Sequence, residues 1–256
     1  MILHRYFLYL AFLGSPYHGW QRQPGDCSVQ QCVEEALSTL LRSDIQVTGA
    51  GRTDAGVNAR MMPAHFDSHT EIIDTAAFMR SLNSILGKNI AVYGIIPVAP
   101  DAHARFDAVK RTYRYFATTQ KTPFFNTLSW ACSPLLDFKK MNEAASLLLS
   151  TSDFASFAKL HSDVKTTICN VTAAAWHRFD EHGWYFEISA DRFLRNMVRA
   201  VVGTLVEVGR GKLTLDAFRE IIESRNRCNA GTSMPAHALY LWDVEYPYLK
   251  TNQFYT

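Results

Sequence analysis

Strand and helix periods alternate along this chain in an order that few folds accommodate. Residues 5–13 read as an apolar strand. Val29, Cys32, Val33, Ala36, Leu37, Leu40 and Leu41 then recur at the 3.6-residue spacing of one helix face. Ser28 precedes them as an N-cap, with Gln31 at the capping-box position. Strands are expected at 44–49 and 61–67. Asp74 can cap a helix that turns Ala77, Phe78, Leu82, Ile85 and Leu86 inward, and residues 90–98 close the set as a strand ending near Pro97 and Pro100. The order is β-α-β-β-α-β.

The same order returns in the second half. Residues 111–118 alternate as a strand, and Asp137 opens a helix with Phe138, Met141, Ala145, Leu148 and Leu149 inward. Strands at 167–179 and 183–190 follow, separated by a turn ending at Gly183. A long helix over 191–208 would bury Leu194, Met197, Val198, Val201, Val202 and Leu205, a further helix covers 214–225, and a last strand 238–246. No residue repeat accompanies this architectural one. The expected fold is therefore α+β, with two ferredoxin-like βαββαβ halves. Residues 1–104 would form one half and 105–256 the other, making one extended, mostly antiparallel sheet with helices on one face. The expected active site is the cleft between the halves.

Composition narrows the classes without choosing among them. The chain is 48% apolar and 12% aromatic, enough for a substantial core and unlike a disordered chain. No apolar run reaches the roughly 18 residues that span a bilayer. The opening residues lack the basic segment and cleavage site of a signal peptide and read better as the first strand. Five cysteines, at 27, 32, 132, 169 and 228, contain no Cys-x-x-Cys, which speaks against a disulfide framework or zinc site and fits a reducing cytoplasm. Cys32 reads most simply as a small core residue. The nine histidines show no metal-ligand spacing, so no metal is predicted. A net charge of +2 does not announce a polyanion partner, which would require uneven placement of the 26 Lys and Arg.

One segment concentrates chemistry. Residues 49–60 place Asp54 two positions after Arg52, among glycines at 49, 51 and 56. A neighbouring cation favours the ionised carboxylate, and the glycines allow positive φ and close ligand approach. A plain surface turn would use the same residue types. The longer run Gly51-Arg-Thr-Asp-Ala-Gly-Val57 resembles the catalytic motif of the TruA family of tRNA pseudouridine synthases. Other blocks resemble that family in its order: residues 17–24 and 28–30, His103-Ala-Arg-Phe106, Arg111-Thr-Tyr-Arg-Tyr115, residues 153–157, Phe193-Leu-Arg-Asn-Met-Val-Arg199 into 203–209, and 236–246. The resemblance spans nearly the whole chain. It implies isomerisation of uridine to pseudouridine in the tRNA anticodon stem-loop by a cytoplasmic homodimer that needs no cofactor, whether nucleotide or metal, and no membrane.

The resemblance also distributes roles. Asp54 becomes the carboxylate nucleophile or base on a flipped-out uridine; attack at C1′, addition to C6 and removal of a C2′ proton are all open to it. Tyr113 matches the active-site tyrosine, able to stack on the base. Tyr115, two residues on, fits a core role better. Arg199 would pair with Asp54, while Arg52 faces a phosphate, since a planar guanidinium suits both partners. Arg195 lies one helical turn before Arg199 and, like Arg192, divides evenly between a solvated helix surface and a phosphate contact. Trp20, Gln21, Arg22 and Gln23 read as a loop end near the site, though a packed Trp20 explains them equally well. His103, Arg105 and Phe106 are either RNA contacts or a structural turn, and Leu239 either presses on the uracil or packs in the core.

The chain departs from the family at Leu13, where Asp is common, at Asn58 and Asn196, where His is common, and through residues 59–63. Residues 58–63 are thus the expected place for tRNA contacts of its own. Two other classes compete: a non-catalytic RNA-binding protein on a ferredoxin-like sheet, which would carry the RRM signature absent here, and a carboxylate hydrolase, which would need a second acid near Asp54.

Overall fold

A computed structural model describes residues 3–123, 125–159 and 165–249. The chain divides into two compact units, one running through Val109 and resuming at Leu241, the other Lys110–Tyr240. The boundary in the chain thus falls five residues after the 104/105 division expected from sequence, and the C-terminal segment rejoins the first unit.

In the first unit, β1 (His4–Phe12) lies between β3 (Asn58–Ser68) and β4 (Ile90–Val98), antiparallel to both, and β2 (Val47–Gly49) is antiparallel to β3. Residues Tyr6 to Leu10 are all buried, so this strand is covered on both faces. Arg5 and Asp67 stand opposite each other in the β1–β3 register. They form a bidentate pair, with Nε and Nη2 each 2.7 Å from a carboxylate oxygen. That hydrogen bonding holds the Asp67 carboxyl below its ordinary range. Two helices pack here, α1 (Val29–Leu41) on β2 and α2 (Thr75–Ile85) on β4. Ser28 Oγ accepts from Gln31 N at 3.2 Å, but the Gln31 amide turns to Glu35 at 2.8 Å, so half of the expected capping box forms. Asp74 caps α2 as expected. Ile85 is exposed, contrary to expectation, because the helix ends there and Leu86, in extended conformation, turns in instead.

His65, on β3, accepts the Ala104 N–H through Nδ1 at 3.1 Å and faces the His103 ring at 4.6 Å. Burial first, and then the charge of Arg5, push the His65 imidazole down to about 4 from 6.5. The folded state therefore disfavours its protonation. The contribution of His65 to stability is complete above about 6.5 and is lost as pH falls toward 4. His65→Asn, which keeps an acceptor, should flatten the decline in denaturation free energy between pH 7 and 4.5. Parallel curves for the two proteins would remove His65 as the cause.

In the second unit, β8 (Gly183–Ala190) pairs antiparallel with β5 (Lys110–Thr118) and β7 (Val171–Arg178). A two-residue β6 (Trp130–Ala131), too short to show a sequence period, runs parallel to β5. Helix α3 (Phe138–Ser146) packs on β7 and on α4 (Met197–Gly209), while α5 (Leu215–Ser224) is capped by Thr214. A 3₁₀ turn over Leu147–Ser150 ends α3 early and leaves Leu149 exposed rather than inward. The helix expected from 191 begins only at Met197, because Asn196 takes a left-handed φ of 66° that no continuing helix permits. With the pairings of β1, β3, β4, β5, β7 and β8 given above antiparallel and helices interspersed, the fold is α+β.

Candidate active site

Asp54 sits in the loop between β2 and β3. Val57 N–H donates to Asp54 O at 3.1 Å and Gly56 has a φ of 79°. Positive φ at the third residue is what a type II turn requires, and Gly meets it without strain. A second loop backs this turn. A Cβ on Gly19 would lie 2.4 Å from Thr53 O, and one on Gly14 would lie 2.2 Å from Val57 O. The two backbones therefore touch, and Trp20 N–H donates to Thr53 O at 3.3 Å. Gly49 serves differently: its missing side chain makes room for the Trp20 ring. Gly51, by contrast, has open space around it and no positive φ, so its role as a required glycine is not realised.

The α1 start holds the backing loop in place. Its first N–H groups, those of Val29 and Gln30, donate to Gly19 O and Trp20 O at 3.2 and 3.0 Å. Here main-chain carbonyls of a loop satisfy donors that a helix start leaves open. Asp54 is half-buried and Arg52 exposed, so the carboxylate stands at the surface of a loop fastened from behind. Sequence inspection did not single out Thr53: its hydroxyl is buried with no hydrogen-bond partner among the described residues.

Trp20 is 3% exposed, with its ring near Phe12 and over Gly49, which makes it the packed support of this loop. Gln21 and Arg22 are exposed beyond it. Arg22 Nη1 lies 3.3 Å from the buried Glu34 carboxylate, which also accepts from Gln30 Nε2 and Val47 N. Glu34, unremarked in the sequence, thus ties α1 to β2 and engages Arg22. Asn58, at the start of the unusual stretch, is 2% exposed and accepts the Gly14 N–H at 2.8 Å. Ala59, Met61 and Met62 are buried as well, and Arg60 stacks on Trp242 at 4.6 Å. Five of the six residues from 58 to 63 are therefore buried in strand, and Arg60, half-buried, is the one left with surface for a tRNA contact.

His103 closes a tight turn: its Nδ1 accepts the N–H groups of Arg105 and Phe106 at 3.1 and 3.2 Å. Arg105 and Phe106 are exposed, the latter stacked on the His103 ring at 4.2 Å.

The remaining candidates belong to the second unit. Tyr113, half-buried on β5, meets the edge of Phe193 at 5.0 Å. Tyr115 is fully buried, in keeping with a core role, and burial pushes its phenol up against the opposing effect of Arg199. Arg199 lies in the first turn of α4, half-buried, and its Nε donates to Met234 O, while its own carbonyl accepts from Met234 N at 3.1 Å. Arg195 is exposed in the loop before α4, so it does not share a helix face with Arg199. Leu239 is 5% exposed and packed in the core.

A family profile described as tRNA pseudouridine synthase matches residues 144–247. The chain is 57% identical over 247 residues to the tRNA pseudouridine synthase A of Bacteroides fragilis, covering 96% of this chain and 98% of that one. It is 54% identical to the Porphyromonas gingivalis protein of the same name, covering 95% and 97%. A more distant relative of that name, from Acetivibrio thermocellus, is 39% identical over 93% of this chain and 98% of its own. With such identity over almost its whole length, the chain belongs to the tRNA pseudouridine synthase A family and is an enzyme of the isomerase class.

Proposed function

We propose that this enzyme converts uridine to pseudouridine in the anticodon stem-loop of tRNA, with Asp54 as its nucleophile or base. The observation that carries the assignment is the Asp54 turn, a carboxylate at the surface of a loop whose backbone is fastened by Gly19 and Gly14. The reaction breaks N1–C1′, turns the uracil and joins C5 to C1′, while a proton leaves C5 and one returns to N1. Atoms and electrons balance within the substrate, so a carboxylate and a shaped pocket suffice. The target nucleotide must leave its stack, which costs a few kcal/mol. The ring of Tyr113 can recover roughly 1–3 kcal/mol of that by stacking on the base. Arg52, exposed and two residues before Asp54 in the chain, takes a phosphate. Arg195 and Arg105, both exposed, are further phosphate contacts. The acting form is a cytoplasmic homodimer.

The test is direct. Anticodon-arm RNA is incubated with the protein and pseudouridine is mapped by a carbodiimide stop assay. Stops within the arm are expected; their absence, with RNA binding retained, would favour a non-catalytic RNA-binding protein. Binding itself should weaken steeply with salt, because each neutralised phosphate releases counterion. For about five phosphate contacts the logarithm of the association constant should fall with a slope of about −4 against log salt. A flat dependence would argue against a phosphate-led contact.

A further inference from the structure

We infer that Cys27 and Cys32 are a modification site, closing reversibly into a disulfide at the start of α1. Their Sγ atoms are 3.7 Å apart. The closeness has a structural cause. Ser28 is the N-cap of α1, so Cys27 occupies the position before the cap and Cys32 the fourth helical position. Those two positions are the ones whose side chains meet in a hydrophobic staple. Two thiols therefore stand where helix geometry itself enforces contact, across only four intervening residues. Bond formation closes the gap from 3.7 Å to the S–S bond length of about 2.0 Å.

The two sulfurs are also unequal in a useful way. Cys27 is exposed and Cys32 half-buried. Burial first, and then the hydrogen bond with Cys27, push the Cys32 thiol up to about 11, so it waits as a protonated neighbour. A small disulfide oxidant such as glutathione disulfide meets Cys27 first. The Cys27 thiolate attacks one sulfur of the oxidant and expels one thiolate. The Cys32 sulfur, losing its proton, then attacks the Cys27 side of the mixed disulfide and expels the second. One S–S bond of the oxidant is broken and one is made in the protein; two electrons pass to the oxidant and two protons are released.

The bond would act on a connected part of the fold. Cys27 O accepts the His18 N–H at 2.9 Å, and the first N–H groups of α1 hold Gly19 and Trp20, the residues that back the Asp54 turn. Tying Cys27 to Cys32 restrains both ends of that arrangement. Slower amide exchange over residues 18–32 is the expected sign, whatever reaction the Asp54 loop serves.

The folded, reduced full-length protein is incubated with excess glutathione disulfide in mildly alkaline buffer, remaining thiols are capped with N-ethylmaleimide, and tryptic peptides are weighed. Cleavage after Arg22 and Arg42 leaves both cysteines in one peptide. That peptide should lack two hydrogens, carry no maleimide, and return to the doubly labelled form after dithiothreitol. In Cys27→Ser the two-hydrogen loss should vanish while Cys32 takes up maleimide. A wild-type peptide bearing glutathione on Cys27 with maleimide on Cys32, or one doubly labelled after prolonged oxidation, would overturn the assignment. So would a bond from either residue to Cys132, Cys169 or Cys228.

Discussion

Asp54→Ala protein should form pseudouridine at least about 10³-fold more slowly than wild type, the scale on which a lost nucleophile or general base is felt. Its stability should change by no more than about 1 kcal/mol, the centre of the distribution for point mutants. The separation is expected because the turn is held by main-chain groups: Val57 N–H to Asp54 O within it, and the Gly19 and Gly14 backbones behind it. These main-chain contacts remain in the variant. Asp54→Asn keeps the shape and removes the charge, so it should fail to the same degree. The measurements are single-turnover pseudouridine formation on anticodon-arm RNA and thermal unfolding, made on the same preparations. Turnover at the wild-type rate in either variant would remove Asp54 from the chemistry.

Gly19→Ala should lower turnover by about 100-fold although residue 19 carries no reactive group. Its φ of +85° costs an L-residue roughly 1–2 kcal/mol, and the new Cβ would lie 2.4 Å from Thr53 O. The Thr53–Asp54 backbone must then move, and a displacement of about 1 Å at a reacting group costs on the order of 10²-fold. Gly25→Ala separates the two effects. Gly25 has nearly the same φ, +84°, but nothing within 4 Å of its would-be Cβ. It should show only the positive-φ share of the stability loss and keep its rate. Equal rate losses in the two variants would mean that backbone strain alone, and not the pressure on the Asp54 turn, is responsible.

Much of the fold was legible because its signals are local. The caps at Ser28, Asp74 and Asp137 and the 3.6 period of α4 depend on residues within a few positions of one another. The misreadings share a cause. Asn196 looks like an ordinary polar residue in a helical run, yet its left-handed conformation, with its amide on Ser233, ends that run. Asn58 looked like an altered substrate contact, whereas its partner is Gly14, far away in sequence. Trp20 and Arg22 read from the sequence as a packed loop at least as well as a nucleic-acid edge, and the partners they have in the fold are Gly49 and Glu34. In each case the deciding group lies outside any local window.

The sequence by itself determined the order of elements, the family and the residues that carry its motifs, because periodicity, capping and motif spacing are written along the chain. Only the tertiary structure decided what each motif residue touches. Of the glycines around Asp54, Gly56 is required by its φ and Gly49 by an indole ring, while Gly51 is required by neither. The acid's turn is held by Gly19 and Gly14 from a separate loop, and two cysteines meet because a helix cap stands between them. Hard-sphere contact between distant backbones has no counterpart in residue identity, and that is why those facts had to come from the folded chain.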